Sequence, residues 1–242
     1  MAGLLAGVVQ VTSGADLERN LARCSELVEA AVKMGAKLVV LPENFAFLGE
    51  HETAKMAVAE TVPGDGRILS TMSRLARSRS VELVLGGMPE AVSATHVHNT
   101  SVYLDAGGDV RGIYRKIHLF DVAIPDGAVY RESASVKPGD EAVVVDAGAG
   151  KVGLTICYDL RFPELYRKLV ADGARILTVP AAFTLHTGRD HWHPLLKARA
   201  IENLAFVLAE VDDREGVAVA ELDFDYQDRL RRELPALEHR RL

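Results

Sequence analysis

The chain has 242 residues, a hydrophobic fraction of 48% and a formal net charge of −6 at pH 7. This length suits one α/β domain with its own core, and the mixed charges exclude a basic surface for nucleic acid or anionic membranes. No apolar run reaches the roughly 18 residues of a membrane-spanning helix. The two cysteines cannot form a disulfide framework. We therefore expect a cytoplasmic protein with a single domain over residues 1–242 and no cofactor.

Strand-like and helix-like stretches alternate along the chain. The first half predicts a strand over Leu5–Val11, a helix from about Asp16 to Met34, a strand over Lys37–Leu41, a helix from about Gly66 to Arg79 and a strand over Val81–Gly86. The second half predicts hairpins of His98–Leu104 with Val110–Tyr114 and of Ala142–Asp146 with Val152–Ile156, then a helix over Leu165–Ala171, a strand over Ile176–Pro180 and a helix over Arg189–Asn203. This order predicts an α/β fold with mixed sheets.

Three of the predicted strands end in a residue that could take part in a reaction. Glu43 ends LVVLPE, Lys116 ends GIYRK, and Cys157 ends GLTIC. A thiol at the carboxyl end of a buried strand lies where α/β sheets form ligand crevices, and a basic neighbour could hold it as the thiolate. A single strand-end cysteine is more often a core residue, and Glu43 with Lys116 could be a buried ion pair. The functional interpretation therefore depends on all three residues together.

The contexts of these residues resemble the signature motifs of the nitrilase superfamily, the carbon–nitrogen hydrolases with a Glu–Lys–Cys triad. The segments LVVLPENF, YRKIHLFDVAIP, CYDLRFPELYR and LRRELPALEHRR carry the resemblance, and they are most similar to the branch of deaminated-glutathione amidases and ω-amidases. The resemblance implies a four-layer α-β-β-α sandwich with two mixed sheets. It also implies a homodimer or a larger homo-oligomer.

The resemblance also implies a role for each residue. Cys157 would attack an amide carbonyl and form a thioester, while Glu43 would transfer the protons. Lys116 and the backbone N–H of Tyr158 would stabilise the oxyanion. Glu132 matches a second glutamate that the family places beside the triad to position the lysine and the substrate, although it could also be an ordinary exposed loop carboxylate.

Candidate substrate contacts follow the second and third motifs. Arg161 could bind a substrate carboxylate through two parallel hydrogen bonds, or could form a structural salt bridge. Phe183 and Thr184 could line the pocket, although core packing explains Phe183 equally well. The spacings His96/His98 and His191/His193 suggest metal ligands at first, but no third ligand accompanies either pair and helical positions i and i+2 diverge. We therefore expect no metal.

One departure from the family pattern lies near residues 206–210, where relatives usually carry a few tens of additional residues. The expected activity is the release of ammonia from a small carboxylate-bearing amide such as deaminated glutathione. Hydrolysis of 2-oxo acid monoamides and of N-carbamoyl amines are the alternatives within the superfamily. An inactive binding or assembly module with the same fold is the alternative outside enzymes, and the shortened segment is the feature that favours it.

Overall fold

The computed structural model describes residues 4–123, 129–205, 207 and 214–241. Its strands are β1 (Leu4–Gln10), β2 (Leu38–Val40), β3 (Glu82–Ala91), β4 (Val97–Leu104), β5 (Val110–Arg115), β6 (Asp121–Ala123), β7 (Val129–Arg131), β8 (Val144–Ala147), β9 (Gly150–Leu154), β10 (Ile176–Thr178) and β11 (Gly216–Leu222). Its α-helices are α1 (Leu17–Lys33), α2 (Arg67–Arg79), α3 (Pro163–Ala171), α4 (Leu185–Glu202) and α5 (Phe224–Glu233).

The larger sheet has six strands in the order β11-β1-β2-β3-β4-β5. The pairs β1–β2 and β2–β3 are parallel, while β11–β1, β3–β4 and β4–β5 are antiparallel. The ladder between β3 and β4 is interrupted between Leu85 and Met88. Gly86 and Gly87 occupy this irregularity, which is a close backbone approach beside the candidate site.

A second, three-stranded sheet packs against the larger one in the order β10-β9-β8, with one parallel and one antiparallel pair. Two apolar cores define the layers. The first fills the space between α1, α2 and one face of the larger sheet, with Cys24 and Val28 fully buried. The second joins the other face, through residues such as Leu38 and Tyr114, to Val152 of β9 and Leu169 of α3. This is the expected α-β-β-α arrangement with two mixed sheets.

The predicted elements are found with small differences at their ends. The strand predicted over Val81–Gly86 continues past the two glycines to Ala91. The helix predicted from about Arg189 begins four residues earlier, at Leu185. The sequence patterns assigned no strand to Gly216–Leu222, which nevertheless pairs with β1 along its whole length. No helix among the described residues is long and apolar enough to cross a membrane.

Candidate active site

Glu43 lies in the turn that follows β2. The backbone N–H of Leu41 donates to the carbonyl of Val84 at 2.9 Å, so the chain is still paired with β3 just before the glutamate. A Cβ atom at Gly86 would lie 2.0 Å from the carbonyl oxygen of Leu41. Glycine at this position therefore allows the strand that carries Glu43 to approach β3.

Lys116 lies immediately after β5, and its ammonium group points into the molecule. Its backbone is fixed on both sides, since its N–H donates to Asn99 and its carbonyl accepts from Gly139, both at 2.9 Å. The residue is only 2% exposed. A lysine so deeply buried requires carboxylate partners to remain charged.

Cys157 begins a one-turn 3-10 helix, Cys157–Arg161, two residues beyond the last paired residue of β9. Its φ angle is +47°, in the left-handed region that a residue with a Cβ atom seldom adopts. The hydrogen bond from its N–H to the carbonyl of Pro180, at 2.8 Å, ties this turn to the end of β10. Backbone strain of this kind is common where a side chain is aimed at a reaction centre.

The three strand ends converge on one hydrogen-bonded cluster. The Lys116 ammonium donates to Glu43 Oε1 at 2.9 Å and to Glu132 at 2.9 and 3.1 Å. Glu43 Oε2 accepts from the backbone N–H of Ala182 at 2.9 Å. The Cys157 thiol is hydrogen-bonded to the Glu43 carboxylate. Residues separated by 73 positions in the sequence are therefore in direct contact.

The charges of this cluster hold each other in their ionised forms. Burial alone would raise the pKa of Glu43, but the charge of Lys116 and its hydrogen bond keep that pKa below its ordinary value. Burial likewise opposes the charge on Lys116, but Glu43, Cys157 and Glu132 hold the pKa of the ammonium above its ordinary value. Glu43 is therefore a carboxylate and Lys116 an ammonium at neutral pH.

The thiol has the opposite tendency. Burial, followed by the negative charge of Glu43, raises the pKa of Cys157 well above its ordinary value, and Lys116 offsets this only in part. The resting pair is therefore a thiol hydrogen-bonded to a carboxylate, whereas a basic neighbour alone suggested a preformed thiolate. Such a thiol has to lose its proton to Glu43 as it attacks.

Glu132 opens a short 3-10 helix, Glu132–Ala134, after β7. Besides Lys116, its carboxylate accepts from the backbone N–H of Phe120 at 2.7 Å. Its side chain is 12% exposed and therefore differs from the ordinary surface carboxylate that the sequence left possible.

Asp159 is a structural partner that the sequence reasoning missed. It is fully buried and accepts hydrogen bonds from the Tyr114 hydroxyl at 2.6 Å, from Ile156 N–H at 2.8 Å and from His118 Nδ1 at 2.7 Å. It joins the turn that carries Cys157 to the segment that carries Lys116. An aspartate two positions after the cysteine gave no signal of this, because its partners lie about 41 and 45 residues away.

The residues predicted around the substrate lie next to this cluster. Tyr158 follows Cys157 in the 3-10 helix, and the Arg161 guanidinium lies 5.8 Å from the Tyr158 ring centre and 5.4 Å from that of Phe183. Arg161 Nη1 lies 3.1 Å from His191 Nδ1. Among the described residues, no carboxylate forms the salt bridge with Arg161 that the sequence left open. Thr184 is the N-cap residue of α4.

The two histidine pairs have other neighbours. His98 Nδ1 lies 2.7 Å from the carbonyl of Lys137, and His96 Nδ1 lies 2.9 Å from the Thr95 hydroxyl. His191 faces Arg161. These contacts account for the three rings without a shared ligand.

Comparison with known proteins places this geometry in a family. A family model described as carbon–nitrogen hydrolase matches residues 5–212. The chain belongs to the carbon–nitrogen hydrolase family. One relative, the deaminated glutathione amidase of Synechocystis sp., is 40% identical over 269 aligned positions, which cover 98% of this chain and 97% of the relative. The carbon–nitrogen hydrolase resemblance expected from the sequence is confirmed.

Solved carbon–nitrogen hydrolase structures share the fold. Nit3 from Saccharomyces cerevisiae, described as a member of branch 10 of the nitrilase superfamily, superposes with a TM-score of 0.88 at 28% identity and covers 100% of this chain and 97% of that one. A mutant amidase from Nesterenkonia sp. AN1, whose active-site cysteine carries acrylamide, gives 0.77 at 26% identity, with 96% and 98% coverage. The predicted nitrilase-like fold class is thereby confirmed.

Proposed function

We propose that this carbon–nitrogen hydrolase cleaves small amides through a thioester on Cys157. The contact that carries the proposal is the buried cluster in which the Glu43 carboxylate touches both the thiol and Lys116. Glu43 takes the thiol proton as sulfur attacks the carbonyl carbon. Lys116 and the backbone N–H of Tyr158 stabilise the resulting oxyanion. The C–N bond then breaks, and Glu43 returns the proton to the departing nitrogen.

The second half-reaction uses the same groups. Glu43, again a carboxylate, takes a proton from water, whose oxygen attacks the thioester carbon. The C–S bond breaks, the proton passes to the sulfur, and the acid product leaves. Glu132 holds the Lys116 ammonium through two short contacts, so we assign it the role of keeping that charge aimed at the oxyanion.

We propose a substrate with a carboxylate in addition to its amide. The support is Arg161, a half-buried cation that lies between two aromatic rings near the cysteine without a carboxylate partner among the described residues. Phe183 and Thr184 would contact the carbon chain. Deaminated glutathione fits this description, and the relatives from Synechocystis and Homo sapiens are named as amidases for it.

A comparison of substrates tests the proposal. Ammonia release should have its highest kcat/KM on deaminated glutathione, and lower values on α-ketoglutaramate and on N-carbamoyl compounds. A preference for either of the latter would assign the ω-amidase or the carbamoyl hydrolase activity instead. If none of the three is hydrolysed, and iodoacetamide does not label Cys157 faster than an ordinary thiol, the chain is a binding module rather than an enzyme.

We further propose that the chain is one domain from which a family segment near 206–210 has been lost. Nearly all of these positions lie outside the described residues. The alignment with the Synechocystis relative is longer than this chain, which supports the loss. Among the described residues, β10 ends its sheet and borders an apolar cavity of about 230 Å³ that includes Leu177 and Trp192. An intact mass of the natural protein that exceeds the mass of this sequence by a few tens of residues would contradict the loss.

The remaining expectations concern assembly and location. We propose a cytoplasmic homodimer or larger homo-oligomer, in which exposed apolar residues such as Ile201, 73% exposed near the end of α4, are covered. Light scattering coupled to size-exclusion chromatography should give at least twice the 26.2 kDa of one chain. A monomer at micromolar concentration would contradict the proposal.

A further inference from the structure

Asn99 lies in β4, directly beside the two glutamates of the cluster. It is 8% exposed, and its Nδ2 lies 2.8 Å from Glu43 Oε1 and 3.4 Å from Glu132 Oε1. Its backbone carbonyl also accepts the N–H of Lys116. One side-chain amide thus supplies both of its N–H groups to carboxylates that share a single ammonium ion.

The orientation of this amide follows from its neighbours. Rotating the amide by 180° would place Oδ1 against carboxylate oxygens, so the NH₂ group has to face the glutamates. In this orientation Oδ1 is buried without a hydrogen-bond partner among the described residues. It points towards Gly87, where a Cβ atom would lie only 2.6 Å away. Unpaired buried acceptors are unfavourable, so the position is not optimised for stability.

The hydrogen bonds of Glu43 show what the amide achieves. Oε1 accepts from both Lys116 and Asn99, while Oε2 accepts from the Ala182 N–H. The same N–H interacts with the Cys157 sulfur, so Oε2 is the oxygen beside the thiol. We propose that Asn99 is a positioning residue that fixes Glu43 through Oε1, so that Oε2 faces Cys157, and that stabilises the carboxylate form.

This inference deepens the proposed function and rests on Glu43 acting as the proton acceptor. Lys116, Cys157 and Glu132 are the titratable groups that face Glu43 among the described residues. Lys116 raises no net positive charge here, because two carboxylates surround it. Asn99 is therefore the neutral donor that keeps the excess negative charge tolerable without supplying a proton.

The test is the pH dependence of kcat/KM in Asn99→Leu and Asn99→Asp. Loss of the donor raises the pKa of Glu43, so the acidic limb should move up by about one pH unit in Asn99→Leu. Asn99→Asp keeps the shape but adds negative charge, and its limb should move further. Activity at the plateau should fall less than activity below the limb.

Asn203→Leu is the matched control, because Asn203 is also buried, has an unpaired Oδ1 and donates to the carbonyl of Arg199 away from the cluster. It should leave the limb where it is, even if it destabilises the protein. Circular dichroism at each pH separates unfolding from titration.

A second measurement does not require turnover. The rate at which iodoacetamide alkylates Cys157, read by peptide mass mapping, should follow the same limb and shift in the same order. If the wild-type protein hydrolyses no amide but its alkylation limb moves in the Asn99 variants, the proposed function fails and the positioning role stands. Unmoved limbs in both folded Asn99 variants, in turnover or in alkylation, would overturn the inference.

Discussion

Replacing Lys116 with methionine removes the one ammonium ion in the cluster and preserves most of the side-chain volume. The change leaves Glu43 and Glu132 facing each other with hydrogen bonds from Asn99, Ala182 and Phe120 but without a counter-charge. Breaking a buried ion pair by removing one partner typically costs about 3–5 kcal/mol. With Lys116 only 2% exposed, we expect a loss of this size in the free energy of unfolding at pH 7.

The loss should depend on pH in a defined direction. In the wild-type protein the pKa of Glu43 is lowered, so its contribution to stability is present above the ordinary glutamate value of about 4.3 and is lost as the pH falls through the folded-state pKa. In Lys116→Met only burial remains, which raises the pKa, and the folded state becomes less stable as the pH rises through about 4.3. The difference between the two proteins should therefore grow from pH 4 to pH 7.

Urea unfolding at several pH values measures this difference, and ammonia release measures the accompanying loss of activity, which should be at least about 100-fold. Lys168→Met is the control, because Lys168 forms an exposed pair with Asp172 and its side chain is 62% exposed. Its cost should stay between about 0 and 1 kcal/mol. A difference below 1 kcal/mol that does not vary with pH in Lys116→Met would refute the reasoning.

Three further predictions follow from the same geometry. Gly86→Ala should abolish ammonia release in a folded protein, because the new methyl group displaces the backbone before Glu43; activity above a tenth of the wild-type value would contradict this. Asp159→Asn should lower the free energy of unfolding by about 1–3 kcal/mol, since a buried acceptor of three donors becomes a partial donor; an unchanged urea midpoint would contradict the clamp. Arg161→Met should raise KM for carboxylate-bearing amides more than for acetamide; equal changes would exclude carboxylate recognition.

The positions of the three principal residues could be predicted from sequence because each follows a short buried strand. Runs such as LVVLP and GLTI indicate where a strand stops, and the carboxyl ends of neighbouring strands lie at a common edge. The prediction that these ends meet depended on the family resemblance, since nothing in the local pattern links residues 43, 116 and 157.

The residues that orient the cluster could not be predicted, because their function exists only in the folded chain. Asn99 occupies a buried strand position that reads as an ordinary polar interruption, and its partner Glu43 is 56 residues away. Asp159 similarly owes its burial to Tyr114 and His118, from a different hairpin. The strand at Gly216–Leu222 was missed because its pairing with β1 joins the two ends of the sequence.

The most direct test of the central claim is the rate of ammonia release from deaminated glutathione by Cys157→Ala beside the wild-type protein. The account predicts that the wild-type protein turns over and that Cys157→Ala loses at least about 1,000-fold in kcat/KM while keeping its urea midpoint within the range of other buried substitutions. A Cys157→Ala protein that still releases ammonia within tenfold of the wild-type rate would contradict it.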